Sequence, residues 1–185
     1  ITTKRRLKTQ KMIPIIVNAN CPKVQFVQNK RITMETEEKD YLYYFWNPDH
    51  EDWLREFAPL EKDKALKGVT PFGITDSKKM VNLADFNLEE LMCAVDTIRC
   101  YYGSSSGRYH KFNEDYSSYG LKHMVERMLQ KITKGRINYV SNGTLILAMH
   151  LAGYKFQRIP GTPNCLFNIP KKSIKKMTDK LPEYI

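Results

Sequence analysis

Lys122, His123 and Glu126 fall within one turn of a predicted helix and are side-chain types that can move protons. Lys122 and Glu126 are four residues apart, so they share a helix face. His123 stands beside them, just before the apolar pair Met124–Val125. Such a cluster can do acid–base work if it faces a cleft. The same spacing serves a solvated helix face with a half-buried histidine. A second pattern, Glu37-x-Lys39 after a strand, has the form of the end of a metal-dependent nuclease motif. That chemistry needs a carboxylate upstream, and residues 1–30 contain no Asp or Glu, so the pattern is read as chance. No glycine-rich phosphate loop and no G-x-S-x-G elbow occurs. The sequence thus calls for no cofactor, no metal and no catalytic residue set, and the balance leans away from an enzyme.

The four cysteines, Cys21, Cys93, Cys100 and Cys165, form no C-x-x-C pair. His50, His110, His123 and His150 do not stand at zinc-ligand spacing from them. The expectation is four reduced thiols in a reducing intracellular compartment, whether cytoplasm, nucleus or organelle. Cys93 and Cys100 are seven apart in a predicted helix and read as packing residues. No run of apolar residues is long enough to span a membrane, and no signal peptide is recognisable.

Three separated segments form a further constellation: Ser117-Ser-Tyr-Gly-Leu-Lys-His-Met-Val-Glu126, Tyr139-Val-Ser-Asn-Gly143 and Asn164-Cys-Leu-Phe-Asn168. Together they resemble small uncharacterised proteins of bacteria and their phages, which carry a similar Tyr-Gly-Leu-Lys-His run, a Ser-Asn-Gly helix start and an Asn-x-x-Phe-Asn end. The resemblance covers about the last third of the chain. It implies a shared C-terminal module and carries no activity and no site residues.

Charge gives the strongest functional signal. The chain carries a formal net charge of +10. Residues 1–30 hold seven Lys/Arg and no acid, whereas 31–66 hold five basic and ten acidic residues. Residues 104–185 hold fourteen basic against five acidic. Basic ends around an acidic segment attract polyanions. The residues expected to meet phosphates are Lys4, Arg5, Arg6, Lys8 and Lys11 in the N-terminal arm, Arg108 and Lys111 in a loop, Lys155 and Arg158 on a hairpin, and Lys171, Lys172, Lys175 and Lys176 near the C-terminus. Lys and Arg on such elements neutralise backbone without reading sequence. The leading expectation is a non-enzymatic nucleic-acid-associated protein, such as a subunit of a ribonucleoprotein or of a phage or viral assembly. The alternatives are an interaction module for an acidic protein partner and a small enzyme built on Lys122, His123 and Glu126. The arm 1–11 suits a targeting remnant or nuclear signal as well as a nucleic-acid arm. The sequence sets no oligomeric state.

Aromatic residues cluster twice. Tyr41, Tyr43, Tyr44 and Trp46 lie in a predicted strand. Tyr101, Tyr102, Tyr109, Phe112, Tyr116 and Tyr119 flank a polar stretch that begins at Ser104 and reads as a mobile loop. Interleaved with Arg108, His110 and Lys111, the second group suits either stacking on unpaired bases or a protein interface.

The elements that must position these residues give an α+β fold class. Two to four N-terminal strands over about 12–46 are expected in a mixed or antiparallel sheet, with central helices on one face and a C-terminal helix plus β-hairpin. Asn47 and Pro48 open a helix that Pro59 interrupts, and Val69–Val81 reads as loop with one short strand. Asn87 caps a helix over Leu88–Tyr102, with Glu90 as its capping-box partner. A second helix covers about Tyr119–Lys134 and stops at Gly135, and a strand is expected over Arg136–Val140. Ser141 caps a helix over Asn142–Ala152 whose side chains are apolar all round, so it should be buried. That counts against a winged helix, whose recognition helix needs a polar face. Strands follow over Tyr154–Ile159 and Cys165–Ile169. The expected organisation is a basic arm 1–11, a domain 12–169 and a basic segment 170–185. That last segment reads either as an amphipathic helix or as a solvated tail.

Overall fold

The computed structural model describes residues 50–102 and 110–179, all within the unit Ile32–Ile185. The expected N-terminal strands, the Tyr41–Trp46 aromatics, Glu37, Lys39, Asn47 and Cys21 lie outside the described residues. Within them the fold is mixed α+β, with five α-helices and two antiparallel two-stranded sheets.

Helix α1 (His50–Phe57) passes into a 3-10 turn, Ala58–Lys62, with Pro59 at its start. Proline lacks the N–H that would continue the α ladder, so the tighter turn begins there. Strands β1 (Val69–Thr70) and β2 (Gly73–Ile74) pair antiparallel around Pro71–Phe72, giving two short strands where one was expected. Helix α2 (Leu88–Tyr101) starts as predicted: Asn87 Oδ1 accepts from the backbone N–H groups of Glu89 and Glu90. Two otherwise orphaned donors are satisfied in this way. Leu91, Met92, Val95 and Ile98 turn into the core.

Helix α3 (Ser118–Ile132) buries Leu121, Met124, Val125, Met128 and Leu129. It ends where Lys134 and Gly135 take positive φ and the Gly135 N–H returns to the Gln130 carbonyl at 2.8 Å. The strand expected over 136–140 does not form. That segment gives its amides to side chains instead: Ile137 N–H to Thr133 Oγ1 at 3.0 Å, and Val140 N–H to Glu126 Oε1 at 3.1 Å.

Helix α4 (Asn142–Leu151) lies at the centre of the described core. Its first eight residues, Asn142–Met149, are all buried, and it packs on both α2 and α3. Each large apolar side chain removed from water contributes about 1.5–3 kcal/mol. Its burial excludes it as a groove-reading helix. It also makes α4, alongside α2 and α3, the main source of the core. Strands β3 (Phe156–Arg158) and β4 (Cys165–Phe167) form the expected hairpin. Helix α5 (Lys171–Thr178) follows, with Ile174 and Met177 buried and its lysines outside. The amphipathic helix, rather than the solvated tail, therefore describes 171–178. The expected mixed or antiparallel sheet falls on the N-terminal strands and so lies outside the described residues; within them the strands form two separate hairpins.

One core-edge group has a measurable consequence. Burial in α2 pushes Asp96 from its ordinary 3.8 up to about 6, against the attraction of Arg99. The folded state therefore holds this proton more tightly than the unfolded chain. The stability from that protonation is full below about pH 4 and is lost as pH rises through about 6. Asp96→Asn should remove this loss and stabilise the fold near neutral pH by ~1–3 kcal/mol. Chemical denaturation at several pH values checks it, and an unchanged pH profile would refute it.

Candidate functional site

The three segments singled out in the sequence converge in space. Ser118 Oγ accepts from the Cys165 N–H at 3.2 Å, and Ser117 bridges to Leu166, so the start of α3 is fixed to β4. Ser141 Oγ caps α4 by accepting from Thr144 N–H at 3.0 Å. Asn142 Nδ2 donates to the Pro163 carbonyl at 3.0 Å and to Asn164 Oδ1 at 3.1 Å, tying the α4 start to the β3–β4 turn. Gly143 N–H donates to the Pro71 carbonyl at 3.0 Å, which seats the β1–β2 turn on the same helix end. A Cβ on Gly143 would collide with the Thr70 carbonyl oxygen, so the Ser-Asn-Gly start is the shape that lets the turn approach.

These contacts border an open, shallow cleft of about 370 Å³ lined by Pro71, Phe72, Tyr119, Lys122, Tyr139, Asn142, Pro163 and Asn164. The large apolar side chains that stand exposed among the described residues are Leu54, Phe72, Tyr119 and Tyr139, and all but Leu54 line this cleft. Phe72 is 87% exposed. The sequence names none of Phe72, Asn142 and Asn164 as site residues, although the last two stand in the motifs that converge here.

Lys122, His123 and Glu126 do come together. Lys122 Nζ lies 2.6 Å from Glu126 Oε1, and His123 Nδ1 lies 2.6 Å from Glu126 Oε2. With Val140 N–H the carboxylate meets three partners, and both Lys122 and Glu126 are buried. An acceptor so engaged joins α3 to the approach of α4. The Lys122 ammonium also sits 5.5 Å from the Tyr119 ring centre and 4.8 Å from that of Tyr139, within cation–π range.

The cations named from the sequence divide into groups. Lys4, Arg5, Arg6, Lys8, Lys11 and Arg108 lie outside the described residues. Lys111 is exposed in the segment 110–117. That segment was read as part of a mobile loop, yet it is fastened to β4: Asn113 N–H donates to the Phe167 carbonyl and Asn113 Nδ2 to that of Ile169. Lys155 is exposed and exchanges backbone contacts with Asn168. The Arg158 guanidinium donates to the Thr75 and Lys67 carbonyls, so it holds the hairpins together while its charge stays at the surface. Lys171 pairs with Asp115 at 2.5 Å and Lys175 with Asp179 at 2.9 Å. Lys172 and Lys176, one turn apart and exposed, have no ion pair with a described residue.

Of the loop aromatics, Tyr102 is buried, Tyr101, Phe112 and Tyr116 are half-buried, and Tyr119 is exposed. Burial raises the Cys93 thiol and pushes Cys165 up to about 12, so neither supplies a thiolate at neutral pH. Cys100 is exposed, unlike the packing residue expected. No group of His, Cys, Asp and Glu suited to a metal ion occurs among the described residues, and no described helix is long and apolar enough to cross a membrane. No family model, curated protein or solved structure gives a significant match to the chain.

Proposed function

We propose that this is a non-enzymatic nucleic-acid-associated protein that binds phosphate backbone with little sequence readout, as a subunit of a ribonucleoprotein or of a phage or viral assembly. The observation that carries the reading is the basic excess of the segments that meet near the junction of β4 and α5. Residues 110–117 and 154–179 contribute seven Lys/Arg against three carboxylates. They are tied to one another through Asn113, Asn168 and the Lys171–Asp115 pair. Such a surface gains affinity by releasing counterions from a polyanion, and it needs no base contacts to do so.

The first test is charge reversal at the two lysines of α5 that have no described acidic partner. Lys172→Glu with Lys176→Glu should weaken binding to mixed-sequence DNA and RNA by at least ~10-fold without lowering the melting temperature. Equal affinity of variant and wild type would count against the α5 surface. The exposed aromatics of the cleft favour a second reading, an interaction module for an acidic protein partner. Binding to protein but to no nucleic acid at low salt would select it. The enzyme alternative is weakened because Glu126 is buried and occupied by three partners.

A further inference from the structure

We propose that the cleft between the β1–β2 turn, the first turn of α3, the approach to α4 and the β3–β4 turn receives an unpaired base of a single-stranded nucleic acid. The inference rests on the nucleic-acid reading above and adds the part of the ligand that the cleft would take.

Four features of the cleft fit a nucleobase better than a backbone phosphate alone. Tyr119 and Tyr139 are 54% and 55% exposed, so each ring keeps open surface although Lys122 packs against it. Open aromatic faces stack on any base, because every base has a π-face. The volume, about 370 Å³, suits a group of nucleotide size. The wall carries the amide of Asn164, whose Oδ1 takes one hydrogen bond from Asn142 and whose Nδ2 can donate to a base edge. Finally, Asn142 is only 7% exposed, and its Oδ1 has no hydrogen-bond partner. A buried acceptor left unpaired is costly, and this one, closed to solvent, meets a ligand donor only if the Asn142 amide turns toward the cleft.

The lining contains one cation, Lys122, and no carboxylate. Lys122 is 6% exposed and paired with Glu126, so the cleft itself is close to neutral. A chain of net charge +10 attracts polyanions as a whole, and the lining presents no carboxylate to repel them. In a duplex the bases are stacked and paired, so the cleft would take them only from single strands, loops or ends. Mixed-sequence binding is retained, since stacking tolerates all four bases.

The test uses the full chain and short oligonucleotides with a terminal fluorophore and an internal 2-aminopurine. Anisotropy reports binding and 2-aminopurine emission reports stacking. The wild type should bind the single strand more tightly than the duplex and should quench 2-aminopurine. Tyr119→Leu and Tyr139→Leu, checked for unchanged melting, should each lower single-strand affinity by roughly 5- to 100-fold. Duplex affinity should stay the same, and the quench should be lost. If both variants bind and quench as the wild type does, the cleft assignment is overturned while backbone binding stands. If single-strand and duplex affinities fall together, the tyrosines serve general docking and the assignment is likewise overturned. If no anisotropy change occurs with either form at low salt, the nucleic-acid reading fails, and the cleft assignment with it.

Discussion

Replacing Glu126 by alanine should cost the fold ~3–5 kcal/mol, because it strands a buried ammonium. Lys122 is 6% exposed and its Nζ lies 2.6 Å from the carboxylate. The same oxygen accepts the Val140 N–H at 3.1 Å, so the substitution also orphans a buried backbone donor. The carboxylate is thus the joint between α3 and the segment that delivers Asn142 and Tyr139 to the cleft. Denaturant unfolding measures the loss as a fall in the transition midpoint. The double variant Lys122→Met with Glu126→Leu should recover much of it, since replacing both charges by apolar groups avoids the unpaired ion. A midpoint unchanged by Glu126→Ala would mean that the ion pair is not the joint described.

Gly143→Ala should be nearly as damaging, at the upper end of the ~1–3 kcal/mol typical of overpacking. The added methyl would meet the Thr70 carbonyl and the Phe86 ring. A backbone atom cannot swing aside as a flexible side-chain end can. The β1–β2 hairpin must therefore lift from α4, breaking the Gly143–Pro71 hydrogen bond and withdrawing Pro71 and Phe72 from the cleft. A lower melting temperature, with faster amide exchange at Ile74 and Gly143, is the expected result. Wild-type stability and exchange would show that the hairpin has room to spare.

Much of the helical framework is legible in the sequence because its signals are local. Asn87 before an apolar stripe specifies the start of α2, and Ser141 before a continuous apolar run specifies a buried α4. The segment 136–140 has the pattern of a strand, but alternating side chains cannot reveal that its amides are claimed by Thr133 and Glu126. The same limit hid the anchoring of 110–117, where a polar, aromatic-dotted stretch reads as loop until Asn113 is seen against β4. The cleft was legible only in fragments. Tyr119, Asn142 and Asn164 all stood in the segments noted for their pattern, yet nothing local says that residues so far apart share one wall. Phe72 gave no signal, since an aromatic in a short turn looks like any other until its exposure is known.

The central claim is that phosphate neutralisation drives binding, and the salt dependence of the affinity tests it most directly. Lys111, Lys155, Lys172 and Lys176 are exposed and without described acidic partners. Four such contacts to a single strand imply a slope of roughly −3 for log affinity against log salt. Affinity should then fall about fifty-fold between ~50 and ~200 mM salt. A steeper fall would add the N-terminal arm to the contact. An affinity that barely changes over that range, or no binding at its low end, would contradict the account.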